Sequence, residues 1–265
     1  MVEAHSPILI FDSGVGGLTV YDALREVLPG APVIYAADLA GLPYGSKTEA
    51  QIAARVAGLL GRMAERYRPR LVCIACNTAS TIALGMVREV LEVPVVGTVP
   101  AIKPAASLTH TGTIGLIGTE ATIRQAYVDR LEAEFASDKR LLRIAAPEFV
   151  GLAEAKLRGR PVDPAPLRAI AERLTGMPGG GDIDTLVLAC THFPLLADEL
   201  TAVFGDKVAL VDGAKGIARR IAHLLEGQDF AKPAPNRFIV TGPLAAAAGL
   251  ESALAMRGFA PAETF

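Results

Sequence analysis

Residues 71–78 read LVCIACNT, and residues 186–192 read LVLACTH. Each stretch is a short apolar run, typical of a strand buried on both faces of a sheet, that stops at a cysteine and continues as a helical pattern. Cys76 and Cys190 therefore occupy the same position in two halves of the chain. The repetition predicts two similar lobes. Two thiols on opposite sides of one small molecule would suit a stereochemical inversion without a cofactor.

The composition allows a large core and argues against nucleic-acid or membrane partners. The chain has 265 residues, 51% of them hydrophobic, which is enough for two modest domains. Its net charge is −2, with no basic stripe or aromatic-plus-arginine platform. No apolar segment reaches transmembrane length, and residues 1–5 lack a secretory signal pattern, so we expect a cytoplasmic protein. The odd number of cysteines, three, indicates reduced thiols rather than a disulfide framework.

Short apolar runs alternate with helical patterns along the whole chain. Strands are predicted near residues 8–11, 32–36, 70–75, 94–97, 113–117, 141–145, 185–189, 208–211 and 237–241. Helices are predicted near 18–27, 47–66, 78–91, 121 into the 130s, 149–157, 164–175 and 214–225, and after Pro194, with Ser46 as a cap of the second. This alternation predicts an α/β fold with parallel, doubly wound sheets.

Polar motifs follow the strands of this predicted fold, where ligands bind in doubly wound sheets. They are Asp12-Ser13, Asp38, Cys76-Asn77-Thr78, Thr119 and Cys190-Thr191-His192. Cys76 and Cys190 each come last before a helix start, where free N–H groups and the helix dipole favour a thiolate. One thiol can then act as general base and the other as general acid. Cys73 lies within its strand and fits a role in the core.

Other chemistries remain open for these residues. Cys73-x-x-Cys76 has a redox spacing, although residues three apart in a strand point to opposite faces. Cys73, Cys76, Cys190 and His192 could form a zinc site, although the same geometry disfavours it, and we predict no metal. The turn DSGVGG at residues 12–17 could bind an anion, but it matches neither the dinucleotide nor the P-loop motif. The short polar residues also suit helix capping.

The chain resembles the glutamate racemase family in five stretches that occur in the family's order. They are FDSGVGGL at 11–18, Asp38 with Pro43-Tyr44-Gly45, ACNTAS at 75–80, GTEAT at 118–122 and CTHFPLL at 190–196. The resemblance implies cofactor-independent interconversion of L- and D-glutamate, with D-glutamate used in bacterial peptidoglycan synthesis. It also implies two doubly wound domains, 1–98 plus 211–265 and 99–210, related by pseudo-twofold symmetry with the active site between them. Relatives form dimers, so we expect a homodimer.

The resemblance also implies a role for each matching residue. Cys76 would remove the α-proton of D-glutamate and Cys190 that of L-glutamate, each reprotonating the other enantiomer. Asp12 would assist Cys76, and His192 would assist Cys190 with help from Glu154. The substrate contacts would come from Asp12, Ser13, Pro43, Tyr44, Gly45, Asn77, Thr78, Thr119, Thr191 and His192. The alternatives are a relative that acts on aspartate or another small acid, and a glutamate-binding protein without turnover.

Overall fold

The structure, a computed structural model, describes residues 5–230 and 235–265. Residues 1–4 and 231–234 lie outside these ranges. The prediction that residues 1–5 carry no secretory signal therefore falls almost entirely outside the described residues. The chain divides into two compact units, Met1–Thr98 with Ala214–Phe265 and Val99–Gly213. Of the helices within the described ranges, none has the length and apolar character needed to cross a membrane.

The first unit is built on six parallel strands. They are β1 (Ile8–Asp12), β2 (Val33–Ala37), β3 (Leu71–Ile74), β4 (Val95–Gly97), β9 (Arg237–Val240) and β10 (Glu263–Thr264). Their order across the sheet is β10-β9-β2-β1-β3-β4. The helices are α1 (Leu18–Val27), α2 (Glu49–Tyr67), α3 (Asn77–Val90), α10 (Ala214–Leu224) and α11 (Glu251–Ala255). All residues of β1, β2 and β3 are buried, as expected of parallel strands covered on both faces.

The second unit is built on four parallel strands. They are β5 (Thr113–Gly118), β6 (Arg140–Ala145), β7 (Thr185–Ala189) and β8 (Ala209–Val211), in the order β6-β5-β7-β8. The helices are α4 (Ile102–Leu108), α5 (Glu120–Ile123), α6 (Ala126–Phe135), α7 (Glu148–Leu157), α8 (Ala165–Thr175) and α9 (Ala197–Phe204). Two parallel sheets with intervening helices confirm the α/β fold predicted from the alternating patterns.

Alternation along the strands assigns the cysteines to faces of the sheets. In the second unit, Leu186, Leu188 and Cys190 pack in one apolar cluster, whereas Val187 and Ala189 pack in another. The first unit repeats this arrangement, because Cys76 packs in the same cluster as Val72 and Ile74 of β3. Side chains two residues apart along a strand share a face. Cys76 and Cys190 therefore continue equivalent faces of their strands.

Several local predictions are wrong. Thr48, not Ser46, caps α2, in a capping box with Gln51, whereas Ser46 ends a 3-10 turn. The single helix predicted from residue 121 into the 130s is two helices, because the backbone of Gln125 is extended between them (φ −68°, ψ 132°). The pattern also missed α4, and it missed α11 and β10 beyond the last predicted strand. β10 is only two polar residues long and depends on its pairing with Ile239 and Val240.

Candidate active site

In each sheet, the cysteine lies where the order of successive strands reverses, the topological switch point. In the first unit, β2 lies on one side of β1 and β3 on the other, so the order in which strands are added reverses beside β1. In the second unit, β6 and β7 flank β5 in the same way. Ligands of doubly wound sheets bind at this switch point, beyond the carboxyl ends of the strands. Cys76 follows β3 and Cys190 follows β7, so both thiols lie at such a point.

The thiol of Cys76 lies next to a serine that also contacts a buried carboxylate. Cys76 precedes α3, with extended backbone, and is 6% exposed. Its Sγ lies 3.5 Å from Ser13 Oγ, and Ser13 Oγ lies 3.3 Å from Asp12 Oδ1. A hydroxyl donates one hydrogen and also accepts. Ser13 can therefore donate to Asp12 while it accepts from the Cys76 thiol, which links the thiol to the carboxylate.

The glycine-rich turn after β1 donates a hydrogen bond to the carboxylate of Asp12, at the end of that strand. Gly17 N–H donates to Asp12 Oδ2 at 2.5 Å, and Tyr35 Oη donates to the same oxygen at 3.3 Å. Asp12 is fully buried, so these donors and Ser13 replace its hydration. A side chain at Gly17 would crowd Ala75, because its Cβ would lie 2.9 Å from the Ala75 Cβ. The turn therefore needs glycine to bring an N–H to Asp12.

A second buried carboxylate, Asp38, orients Tyr44. Arg55 donates to both oxygens of Asp38, at 2.5 and 2.6 Å, and Thr241 and Tyr44 donate at 2.5 and 2.6 Å. Burial alone would raise the pKa of Asp38, but these donors lower it. Burial and the Asp38 charge raise the pKa of Tyr44, so its hydroxyl stays protonated and donates. Tyr44 packs in the same apolar cluster as Cys76.

The absence of a side chain at Gly41 allows Asp38, Arg55 and Tyr44 to approach one another. A Cβ atom at position 41 would overlap Asp38 Oδ2 and would lie 2.5 Å from Arg55 Nε and 2.9 Å from Tyr44 Cε1. None of these atoms can yield easily, because the guanidinium and the hydroxyl are both bonded to Asp38. The residue at position 41 is therefore restricted by close approach of side chains.

The thiol of Cys190 lies next to a histidine that also contacts a partly buried carboxylate. Cys190 is 7% exposed, and its Sγ lies 3.9 Å from His192 Nδ1. His192 Nε2 lies 3.1 Å from Glu154 Oε1 on α7. Arg158 donates to the other oxygen of the same carboxylate. Burial raises the pKa of Glu154, but hydrogen bonds from His192 and Arg158 outweigh it and lower the pKa.

The remaining predicted substrate contacts are divided between the two units. In the first unit, Asn77 and Thr78 begin α3, Pro43 follows a cis peptide bond, and Tyr44 and Gly45 form a 3-10 turn. In the second unit, Thr119 caps α5, and Thr191 is buried after Cys190. Asn77 Oδ1 is buried, and no described residue donates to it. This acceptor is therefore available to a ligand that donates hydrogen bonds.

The cysteine geometry bears on the alternatives left open by the sequence. None of the three cysteines forms a disulfide, and all three are buried. Cys73 is fully buried, and burial, together with the charge of Asp12, raises the pKa of its thiol to about 12. Cys73 is not in the apolar cluster that contains Cys76. Within residues 5–230 and 235–265, no three His, Cys, Asp or Glu side chains group as metal ligands would.

Several residues that build the site were missed by sequence reasoning. No local sequence pattern predicts the hydrogen bonds of Tyr35 to Asp12 and of Thr241 to Asp38, because the partners are 23 and 203 residues apart in the chain. Arg55 looks like an ordinary helix-surface residue. Only Arg158 carried a readable signal, because it follows Glu154 by four residues on a helix, the spacing of a favourable ion pair.

Comparisons with known proteins agree on one family. The sequence profile of the Asp/Glu/Hydantoin racemase family matches residues 12–221. Glutamate racemase of Sphingopyxis alaskensis is 62% identical over 223 residues, which are 84% of this chain and 83% of the relative. The structure of Escherichia coli glutamate racemase, in complex with L-glutamate and the activator UDP-MurNAc-Ala, is 43% identical, with a TM-score of 0.92 over 98% of each chain. Glutamate racemase isoform RacE1 of Bacillus anthracis is 26% identical, with a TM-score of 0.85 over 99% of this chain and 98% of that one.

Proposed function

This chain belongs to the glutamate racemase family, and we propose that it interconverts L- and D-glutamate with two cysteine thiols and no cofactor. The family places it among the isomerases as an amino-acid racemase. The observation that carries the two-thiol mechanism is a parallel between the units. Cys76 reaches Asp12 through Ser13, and Cys190 reaches Glu154 through His192. Each thiol thus has one hydrogen-bonding intermediary and one carboxylate, fully buried in Asp12 and 12% exposed in Glu154.

In the proposed reaction, one glutamate lies with a thiol at each face of its α-carbon. The Cys76 thiolate takes the α-proton of D-glutamate, and the electron pair of the broken C–H bond stays on the carbon. The Cys190 thiol then donates its proton to the opposite face, which gives L-glutamate. The reverse reaction uses Cys190 as the base and Cys76 as the acid. Asp12 and His192, supported by Glu154, assist the nearby thiol in each proton transfer.

The polar groups near the thiols support an amino acid as substrate. Asn77 Oδ1 lacks a donor among the described residues, and a substrate ammonium group would supply one. N–H groups at the amino end of α3 suit a carboxylate. We assign the remaining substrate contacts to Ser13, Pro43, Tyr44, Gly45, Thr78, Thr119 and Thr191. L-glutamate in the Escherichia coli structure supports glutamate rather than aspartate.

The proposed activity has a place in cell-wall chemistry. D-glutamate formed by this chain would supply peptidoglycan synthesis, and hence maintain cell shape, from the cytoplasm. We propose a homodimer whose subunits each have two domains, corresponding to the two compact units. No metal, nucleic acid or membrane takes part in the proposed reaction.

Proton NMR in D2O tests the proposal. L-glutamate and D-glutamate are incubated separately with the protein, without added cofactor, and the α-proton signal and the enantiomer ratio are followed. We expect the α-proton to be lost and the opposite enantiomer to appear, and we expect Cys76→Ser and Cys190→Ser each to abolish racemisation. Cys73→Ala is the matched control and should racemise normally. Tight binding without exchange would indicate a glutamate-binding protein, and exchange of aspartate alone would indicate a different substrate.

A further inference from the structure

The carboxylate of Glu154 is shared between a histidine and an arginine. His192 Nε2 contacts one oxygen, Oε1, at 3.1 Å, and Arg158 donates to the other, Oε2. The side chains of His192, Glu154 and Arg158 are 3%, 12% and 16% exposed, so water screens these contacts only weakly. Arg158, Glu154 and His192 form one series of contacts that ends at Cys190.

The position of Arg158 is built into α7. Arg158 is the C-cap of this helix, and its guanidinium folds back over the last turn and also donates to the Glu154 carbonyl oxygen at 3.0 Å. A cation there complements the helix dipole, and Glu before Arg at four residues is the favourable order. These contacts hold the guanidinium against Glu154.

The carboxylate that supports the other thiol is held differently. Asp12 accepts from Gly17 N–H, Tyr35 and Ser13, all of which are uncharged donors. Glu154 instead accepts from an arginine and a histidine. A carboxylate paired with arginine attracts a proton on a neighbouring imidazole less strongly than an unpaired carboxylate does, because the guanidinium offsets part of its charge.

We propose that Arg158 is a positioning residue for the second thiol, which orients Glu154 toward His192 and limits how strongly His192 holds a proton. This inference rests on the proposed function, since it assigns His192 to the thiol of Cys190. With Arg158 present, His192 can give up its proton more readily at neutral pH and so exchange protons with Cys190. Without it, His192 would stay protonated over a wider pH range.

A second basic side chain on α7, that of Lys156, pairs with carboxylates other than Glu154. Lys156 on α7 pairs with Glu199 of α9 at 2.7 Å and lies 3.9 Å from Asp198. Two titratable groups contact His192, namely Cys190, which follows β7, and Glu154 on α7. Arg158 contacts the far oxygen of the carboxylate that His192 contacts, so its removal should act on His192 through Glu154.

Histidine NMR tests the proposal without relying on activity. The chain has four histidines, so imidazole carbons labelled with 13C give few signals, and His192→Gln assigns the one that matters. We expect Arg158→Gln and Arg158→Met to raise the His192 pKa by about 0.5 to 1. Arg158→Lys, which keeps the charge, should stay close to the wild type, and Glu154→Gln should lower the pKa.

The competing outcomes are distinct. A His192 titration that is unchanged in folded Arg158→Gln and Arg158→Met would overturn the proposal, as would equal shifts in Arg158→Lys and Arg158→Gln. The pH profile of kcat/KM adds a second measurement, in which the limb from the Cys190–His192 pair should move to higher pH in Arg158→Gln. If the wild type does not racemise glutamate, the proposed function fails, but the histidine titration still decides the role of Arg158.

Discussion

Ser13 Oγ lies 3.5 Å from Cys76 Sγ, within reach of the thiol that follows the neighbouring strand. The same hydroxyl lies 3.3 Å from Asp12 Oδ1, so one small side chain connects the thiol to its carboxylate. We predict that Ser13→Ala lowers kcat/KM about tenfold to a hundredfold, the effect of losing one hydrogen bond to a charged group. Initial racemisation rates measured by circular dichroism give this number.

This prediction carries an internal check. L- and D-glutamate have equal free energy in water, so the ratio of kcat/KM between the two directions must remain one in every variant. Ser13→Ala should therefore lower both directions equally, although kcat and KM can change separately. Thr19→Ala is the matched control, because the Thr19 hydroxyl donates to the Gly16 carbonyl oxygen, 3.0 Å away in the same turn. Normal activity in Ser13→Ala would remove Ser13 from the mechanism.

The crowding around Gly41 predicts a large effect of the smallest side chain. A Cβ atom there would push against Asp38, Arg55 and Tyr44, so we expect Gly41→Ala to lower the free energy of unfolding by about 1 to 3 kcal/mol. Activity should also fall, because Tyr44 would move. Urea unfolding and initial rates measure the two effects.

Gly58 offers a matched control for Gly41. It lies inside α2, and a Cβ atom there would meet nothing within 4 Å. Gly58→Ala should therefore raise the free energy of unfolding by about 0.5 to 1 kcal/mol and leave activity unchanged. Equal stability of the two alanine variants would contradict the role given to Gly41.

Asp184 predicts a pH-dependent stability in the second unit. Its carboxylate accepts from the Thr109 and Thr185 hydroxyls and from the N–H groups of His110 and Thr111, at 2.6 to 3.0 Å. Burial opposes ionisation, but these donors prevail and lower the pKa of Asp184 in the folded chain. Its contribution to stability is then complete above the unfolded pKa, about 3.9, and is lost as the pH falls through the folded value.

Urea midpoints at a series of pH values test the Asp184 bonds. We expect Asp184→Asn to be less stable than the wild type at neutral pH, and the difference to shrink as the pH falls from about 5 toward 3. Asp198→Asn is the control, because the side chain of Asp198 is 98% exposed. A difference that stays constant with pH would show that the charge of Asp184 does not provide the stability.

The three cysteines should differ in reactivity. Cys73 is fully buried and its thiol has a pKa of about 12, whereas Cys76 and Cys190 are 6% and 7% exposed at helix or turn starts. Only a thiolate is alkylated. Iodoacetamide at mildly alkaline pH should therefore modify Cys76 and Cys190 well before Cys73, as measured by peptide mass spectrometry. All three cysteines should react in urea. Early alkylation of Cys73 in the folded protein would contradict the prediction that Cys73 is the least reactive of the three.

Local pattern was enough to predict most of the fold. The apolar runs at 8–11 and 71–74 form buried parallel strands because an uninterrupted apolar run suits a sheet covered on both faces. The edge strand β10 and helix α11 could not be predicted, because short, weakly apolar segments depend on partners elsewhere in the chain. The sequence predicts Ser46 as the cap of α2, but Thr48 caps it, because serine and threonine both suit a cap and the backbone conformation decides between them.

The sequence by itself determined the α/β fold, the placing of both cysteines at strand ends and the family to which the chain belongs. These depend on residue type and spacing along the chain, which local pattern retains. The tertiary structure decided which side chain supports which carboxylate. The partners of Asp38 are 6, 17 and 203 residues away, and Ser13 is 63 residues from Cys76. Hydrogen bonds act over about 3 Å in space, so only the folded chain reveals them.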